Sequence, residues 1–537
     1  MTLALWCPIR ASRQGNPPSL TQKDTNPLCT PCMSLNYNFI WLLCYLLVLV
    51  GLAGYGFHRL SIVYLYWKNR NNKPQPKARF QELPVVTVQL PMFNEKFVVD
   101  RLLESVAALD YPQDKLEIQI LDDSTDDTTE QCYRKVEELK SRGFDAVCIH
   151  RTDRTGFKAG ALEAATKVAK GEFLLILDAD FVPEPDLLQK TIHFFTDENV
   201  GLVQTRWGHI NREYNLLTRI QGMYLDGHFA MEQTARNRSG RFFTFNGTAG
   251  IWRKCVIGDA GGWSHDTLTE DMDLSYRVQL RGWRFIYLND VVTPAELPVD
   301  MDGFKSQQHR WTKGSIQVCQ KILLDIWRSN APLKAKVEAT THLTCNYSYL
   351  LLALLCFLVY PICTQRIPEN ETVFMWFVNV ALFFMTSVAV CIFYMSAQIV
   401  VRPKSWWKEL PYLPLLLTLS VGMAVNNAKA VLEAIFGHQS AFVRTPKYGV
   451  DRKEDRRHVS QLKRNGYRAI KSVVIPVLEI ACGTFFLNLI IIMIRQGHYL
   501  SPILMIPFLG FYYTGFCSLG RMISNLLPAK QTAKAKN

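Results

Sequence analysis

The sequence has no glycine-rich nucleotide fingerprint. Neither G-x-G-x-x-G nor G-x-x-x-x-G-K-[ST] occurs, which excludes a dinucleotide fold of the usual kind and a P-loop. Of 14 cysteines, only Cys29-Thr30-Pro31-Cys32 forms a C-x-x-C. A single such pair lacks the second half of a zinc site. The remaining cysteines are scattered, several within apolar runs, and give no disulfide framework, as expected of a cytoplasmic face. The sequon Asn246-Gly247-Thr248 would be idle there. Charge is scarce inside the apolar runs, where Glu479 stands out. No cleaved signal peptide is read: the first apolar run, "FIWLLCYLLVLVGLAGYGF", lies too deep in the chain.

Long apolar runs are what the chain does have. The first is long enough for a bilayer, which needs about 20 apolar residues. Four more follow residue 340: "YSYLLLALLCFLVYPIC", "VFMWFVNVALFFMTSVAVCIFYM", "VVIPVLEIACGTFFLNLIIIMI" and "SPILMIPFLGFYYTGFCSLG". A shorter run, "LPYLPLLLTLSVGMAVNN", is interrupted by prolines and paired Asn and reads as re-entrant. The expected division is a tail 1–36, a transmembrane helix 37–67, a water-exposed domain 68–340, an apolar block 341–520, and a basic tail 521–537. The net charge is +13, and its Lys and Arg cluster beside the apolar runs. About five crossings with the N-terminus outside would put them all on the cytoplasmic side. The positive charge is then a membrane-facing feature and needs no nucleic acid.

Residues 68–340 alternate strand and helix patterns with short loops. "PVVTVQLP" reads as a strand turning at Pro91, "LEIQIL" as the next, then "GFDAVCIHR", "EFLLIL" and "NVGLVQTRW". Amphipathic or Ala-rich helical segments lie between the earlier ones. This pattern predicts a mostly parallel, doubly wound, Rossmann-like α/β sheet, with ligands beyond the carboxyl ends of its strands. The polar clusters fall at those ends: Asn94-Glu95, Asp122-Asp123-Ser124 and Asp178-Ala179-Asp180. We therefore read them as one site.

Asp178 and Asp180 suit a hard divalent cation such as Mg²⁺ or Mn²⁺, which takes oxygen ligands and leaves places for phosphate. They equally suit a strand-end turn with capping aspartates. Asp122 and Asp123 offer acceptors for a base and ribose, or form a solvated acidic turn. Arg151, Arg154 and Lys158 precede a helix, where cations suit a diphosphate; Gly156 and Gly160 would let backbone approach it. Glu270, Asp271 and Asp273 open another helix. The helix dipole alone explains one or two of them; alternatively, one is a general base. "FKSQQHRWTKG" gathers Gln307, Gln308, His309, Arg310, Trp311 and Lys313, which suits phosphate pairing and sugar stacking, or a membrane-surface helix.

In this order the motifs resemble the membrane-embedded family 2 glycosyltransferases, and most of all the cellulose synthase and plant mannan or glucomannan synthase-like branch. The resemblance runs from Pro84 to Lys447. It implies a GT-A fold joined to an α-helical transmembrane bundle, with the catalytic domain cytoplasmic in a multi-pass protein. It assigns Asp122 and Asp123 to the nucleotide base, and Asp178 and Asp180 to the Mg²⁺ or Mn²⁺ and diphosphate. Asp271 of Thr269-Glu270-Asp271 becomes the base, and Gln307, Arg310 and Trp311 serve the acceptor and diphosphate end. "KAGAL", with Lys158, and "FNGTAGIWR", with Asn246 near the acceptor, fit the same branch. "GHQSAFVRTPKYG" resembles the gating loop, here 437–450, through Phe442, Thr445 and Lys447. Arg444 stands where the family has Val, and Asn246 where bacterial cellulose synthases have Cys; both departures count against cellulose itself. The implied reaction is inverting transfer from a nucleotide sugar, UDP-glucose or GDP-mannose, to a growing β-glycan exported through the bilayer. The alternative is a glycolipid-forming transferase similar to ceramide glucosyltransferases, with a lipid acceptor. Whether an accessory subunit takes part is left open.

Overall fold

A computed structural model describes residues 32–364, 381–382, 384–439, 445–450, 473–495 and 502–526. Cys29, Phe442 and Arg444 lie outside the described residues.

Seven strands form one sheet: β1 Val86–Met92, β2 Leu116–Asp122, β3 Asp145–His150, β4 Phe173–Ile176, β5 Val200–His209, β6 Gly250–Arg253 and β7 Arg284–Ala295. Their order is β3-β2-β1-β4-β6-β5-β7. β1 pairs in parallel with β2 and β4, β2 with β3, and β5 with β7. β6 alone runs antiparallel, between β4 and β5. The mostly parallel sheet expected from the sequence is therefore mixed at one strand. Six strand ends and the start of β6 consequently meet along one edge, and that edge builds the site.

The strands are buried on both faces, as a sheet covered by helices requires. On one face Val86, Val88 and Leu90 pack with Ile118, Ile120 and Leu175. On the other, Leu174 and Ile176 pack with Leu202 and Trp252. Pro91 does not turn the chain as expected; it pairs within β1 against Leu121. Gln89 on the same side accepts from Leu177 N–H. The pairing with β4 stops at Gln89–Ile176, so the N–H that proline lacks has no ladder bond to make there.

Two described helices are each long and apolar enough to cross a membrane: Ile40–Asn69 and Val474–Arg495. Two bent pairs, Leu333–Thr344 with Tyr347–Pro361 (52°) and Trp406–Gly422 with Ala424–Ile435 (41°), raise the number to four if each is one span. The second pair is the run expected to be re-entrant, and its break falls at Met423 rather than at its prolines. These helices expose Leu47, Phe57, Phe357 and Val474 outward. Buried ion pairs tie them to the sheet domain. His58 and Arg236 both reach Glu338 (3.0 and 2.9 Å). Lys305, on the long helix Met301–Arg328, reaches Glu479 (2.5 Å) together with Ser518 Oγ and the Thr514 carbonyl.

Candidate active site

An open cleft lies along the shared sheet edge. Asp123, Lys158, Asp178, Asp180, Asn246, Glu270, Asp271, Gln307, Arg310, Trp311, Thr445 and Lys447 all line it. Residues in or just beyond β1, β2, β4, β5 and β7, and on four helices, thus converge on it.

Asp122 does not line it. That carboxylate is fully buried and accepts from Ser124 N–H (3.0 Å) and Thr129 Oγ1 (2.7 Å), with His150 Nδ1 at 2.7 Å. It organises the turn after β2, while its neighbour Asp123 faces the cleft. Arg151 binds Asp123 in a two-pronged contact (2.8 and 2.6 Å), so this cation is committed to a carboxylate. Arg154 lies over the Phe93 ring at 3.4 Å. Gly160 serves the loop's own packing: a Cβ there would strike the Thr155 carbonyl oxygen at 2.2 Å and Arg151 at 2.8 Å.

Asp178 and Asp180 each have a cation. Lys158 Nζ donates to Asp178 Oδ1 (2.5 Å) and to the Gly247 carbonyl (2.9 Å). Burial acts to lower the Lys158 pKa, but Asp178, Glu270 and Asp271 outweigh it and hold the ammonium above its usual range. Lys447 Nζ donates to Asp180 Oδ2 (2.6 Å) and to the Glu296 carbonyl (3.1 Å). The Glu296 carboxylate in turn accepts from the N–H groups of Tyr448, Gly449 and Val450 (3.0, 3.1 and 3.2 Å), which fastens the described end of the gating-like loop. Among the described residues there is no group of three or more His, Cys, Asp or Glu that could hold a metal. Two carboxylates whose other oxygens, Asp178 Oδ2 and Asp180 Oδ1, make no hydrogen bond to a described residue fit Mg²⁺ or Mn²⁺ shared with a diphosphate, because such ions bind through one or two carboxylates plus phosphates.

The acids of the helix Glu270–Leu280 separate by role. Asp273 is fully buried and paired with Arg277 (2.7 Å) and Lys321 (2.9 Å), a structural use. Glu270 and Asp271 face the cleft. Burial, and then the neighbouring Glu270, push Asp271 up to about 7, against the opposing effects of Met272 N–H, Lys158 and Arg310. A carboxyl that titrates there is matched to proton transfer near neutrality. Burial lowers the Arg310 pKa, and Glu270, Asp178 and Asp271 act against that. Gly247, at φ +79°, sits beneath this group: a Cβ would lie 3.1 Å from Asp271 Oδ2.

A second cavity adjoins the cleft and runs toward the apolar helices. The two share Trp207, Leu225, Asn246, Thr269, Asp271 and Trp311. Trp207 stacks on Phe229 (4.6 Å) and lies 6.5 Å from Trp311.

Residues 84–314 match the family described as "Glycosyltransferase like family 2", and residues 250–496 match "Cellulose synthase". Between them the two matches span residues 84–496, over which the chain carries a family 2 glycosyltransferase domain continuous with a cellulose synthase-like region. It is 42% identical over 286 residues to glucomannan 4-beta-mannosyltransferase 2 of Arabidopsis thaliana, covering 50% of this chain and 53% of that one. It is 40% identical over 277 residues to glucomannan 4-beta-mannosyltransferase 1 of Oryza sativa subsp. japonica, covering 51% and 53%. The chain thus spans about half the length of the curated relatives it matches. A mannosyltransferase of Pyrobaculum calidifontis, solved with GDP-Man and Mn²⁺, superposes with a TM-score of 0.52 at 20% identity, over 74% of this chain and 100% of that one. At that identity the likeness is one of fold, and the fold is GT-A.

In this cellulose synthase-like chain the sequence reading missed Trp207, His209 and Glu296, all in the cleft lining. Trp207 and His209 end β5, and Glu296 follows β7. The rule that found Asp123 and Asp178, polar groups at strand ends, reaches Glu296 once β7 is recognised.

Proposed function

We propose that this protein is an inverting hexosyltransferase of multi-pass membrane topology, with its catalytic domain cytoplasmic, that moves a sugar from a nucleoside-diphosphate sugar to a growing β-glycan of glucomannan type. The observation that carries this reading is the meeting of two cavities at Asp271, one rich in charged groups and the other running toward apolar helices. Charged groups for a nucleoside diphosphate line the first: Asp123, Lys158, Asp178, Asp180 and Arg310. The second, walled by Trp207, Phe229, Phe393 and Tyr394, takes the acceptor.

In the transfer, Asp271 accepts the proton of the acceptor hydroxyl as that oxygen bonds to the sugar's anomeric carbon. The bond from that carbon to the diphosphate breaks with its electron pair leaving on the diphosphate. A single displacement converts an α-linked donor into a β-linked product. Arg310 and Lys158 stabilise the negative charge on the leaving group. When bound between Asp178, Asp180 and the diphosphate, Mg²⁺ or Mn²⁺ would neutralise part of the same charge. Trp311 and Trp207 offer aromatic faces to a sugar ring. The names of the glucomannan 4-beta-mannosyltransferase relatives support a mannose donor and a glucomannan product; GDP-mannose as that donor, and export through the bundle, are part of the proposal.

Membranes holding the full chain are incubated with labelled GDP-mannose or UDP-glucose. A high-molecular-weight product that resists lipid extraction is expected from GDP-mannose. A small chloroform-soluble product would overturn the polymer assignment in favour of a glycolipid. Asp271→Asn should abolish turnover while nucleotide binding persists; full activity in that variant would refute the base.

A further inference from the structure

The cleft and the second cavity meet at Asn246, which is held in an unusual way. The segment Gly227–Gln233 is a π-helix. Its wide turn places residues four and five apart on one face, and such single-turn insertions recur at functional sites. Here the turn brings His228, Glu232 and Gln233 together beside Asn246. Gln233 Nε2 donates to Asn246 Oδ1 at 2.6 Å, which fixes the orientation of the amide. Asn246 Nδ2, 2.9 Å from His228 Nε2, is then the donor of that contact. His228 must carry its proton on Nδ1, 3.0 Å from Glu232 Oε2. Glu232 is also paired with Arg236 (3.3 Å) and with Arg59 of the apolar helix Ile40–Asn69. Burial, with Arg236 and Arg59 adding to it, pushes His228 down to about 3, so the neutral tautomer persists at any working pH.

An amide nitrogen carries two hydrogens. One goes to His228; the second has no acceptor among the described residues. The next residue, Gly247, packs beneath Asp271. The unused N–H therefore belongs to the same turn that supports the base, at the junction the two cavities share.

We propose that His228, Gln233 and Glu232 are positioning residues that fix the amide of Asn246, the residue the family resemblance sets near the acceptor, so that its second N–H is held ready to donate to an oxygen of the terminal sugar. The inference rests on the reading of Asp271 as base and of the second cavity as the acceptor's. It adds that the grip is anchored from the first apolar helix through Arg59, so acceptor binding depends on how that helix sits against the sheet domain.

The test uses the full chain in lipid nanodiscs, the donor it turns over, and a β-1,4-linked hexasaccharide as acceptor probe. Asn246→Ala, the isosteric Asn246→Asp and His228→Ala are each expected to raise the apparent acceptor KM about tenfold, the scale of one lost buried hydrogen bond. Nucleoside diphosphate binding, measured by calorimetry, stays within about twofold and reports that each variant is folded. His228→Gln, whose side-chain oxygen also accepts from Asn246 Nδ2, should recover most of the loss. An unchanged acceptor KM in Asn246→Asp overturns the grip, and a His228→Gln variant no better than His228→Ala overturns the positioning role. Failure of the wild type to bind any nucleoside diphosphate would instead overturn the transferase reading on which both stand.

Discussion

Replacing Glu270 by Gln gives a direct measure of the electrostatics at the base. Asp271 is raised from 3.8 to about 7, with burial the larger cause and Glu270 the next. As a generic scale, two carboxylates ~6 Å apart at an effective dielectric of ~20 repel by ~3 kcal/mol, equivalent to ~2 pH units. Lys158 and Arg310 lower the Asp271 pKa and offset part of the rise. The expected displacement in Glu270→Gln is therefore about one pH unit. The sign follows from the chemistry. The base acts only when ionised, so kcat/KM rises with pH through the Asp271 pKa, and removing a neighbouring negative charge moves that rise to lower pH. The assay is kcat/KM for the nucleotide sugar between about pH 5 and pH 9, which reports groups of the free enzyme. The wild type should show an acid limb near 7, and the variant one near 6. Because the two acids are neighbours, the wild-type limb belongs to the pair. Superimposable limbs, or a limb displaced upward in the variant, would refute the reasoning.

Three further substitutions probe the surrounding frame. Gly247→Ala puts a Cβ 3.1 Å from Asp271 Oδ2 at φ +79°; left-handed backbone costs a non-glycine residue ~1–2 kcal/mol of stability, lowering Tm, and crowding of the base should lower the single-turnover rate. Lys305→Met strands Glu479 without its ammonium in a buried site, costing ~3–5 kcal/mol and lowering Tm in detergent; the double variant Lys305→Met/Glu479→Leu should regain most of it. Lys447→Met removes the cation bound to Asp180, so Mn²⁺ titrated into the nucleotide-free protein should bind several-fold more tightly, while loss of loop contacts weakens nucleotide binding.

The sequence carried the first half of the sheet because βα alternation there is regular. Each apolar strand ends in a polar turn and each helix follows within a few residues, so Asp123, Lys158 and Asp178 could be placed on one edge. The second half broke that rhythm. β6 is four residues long and runs backward between β4 and β5, and nothing in the periodicity of "GIWR" announces direction. Its reversal is what puts Asn246 and Gly247 at the catalytic edge by their position before a strand rather than after one. Asp122 was misjudged for a related reason. Two adjacent aspartates look alike in sequence, but strand alternation sends neighbours to opposite sides, and only the fold says which faces the cleft. The charged couplings across the domain boundary were illegible altogether: Arg59 with Glu232, and Arg236 with Glu338, join residues far apart in the chain.

Asp178 and Asp180 stand one residue apart, yet they answer to different parts of the chain. Lys158 arrives from the first turn of the helix Phe157–Val168, and Lys447 from the gating-like loop within the apolar block. Each lysine is steadied by a backbone carbonyl, Gly247 for one and Glu296 for the other. Those carbonyls belong to the loops before β6 and after β7, so the charge balance of the two aspartates depends on strands that contribute no ligand of their own. Removing Lys447 would leave the buried Asp180 carboxylate uncompensated, a state that costs several kcal/mol, whereas Asp178, more exposed, would lose less when Lys158 is removed. The opposing charges come as two separate pairs, each pinned to its own loop. A lysine released from its aspartate by a competing cation therefore remains held at the cleft wall by its carbonyl, within the same lining as Arg310 and Asp271.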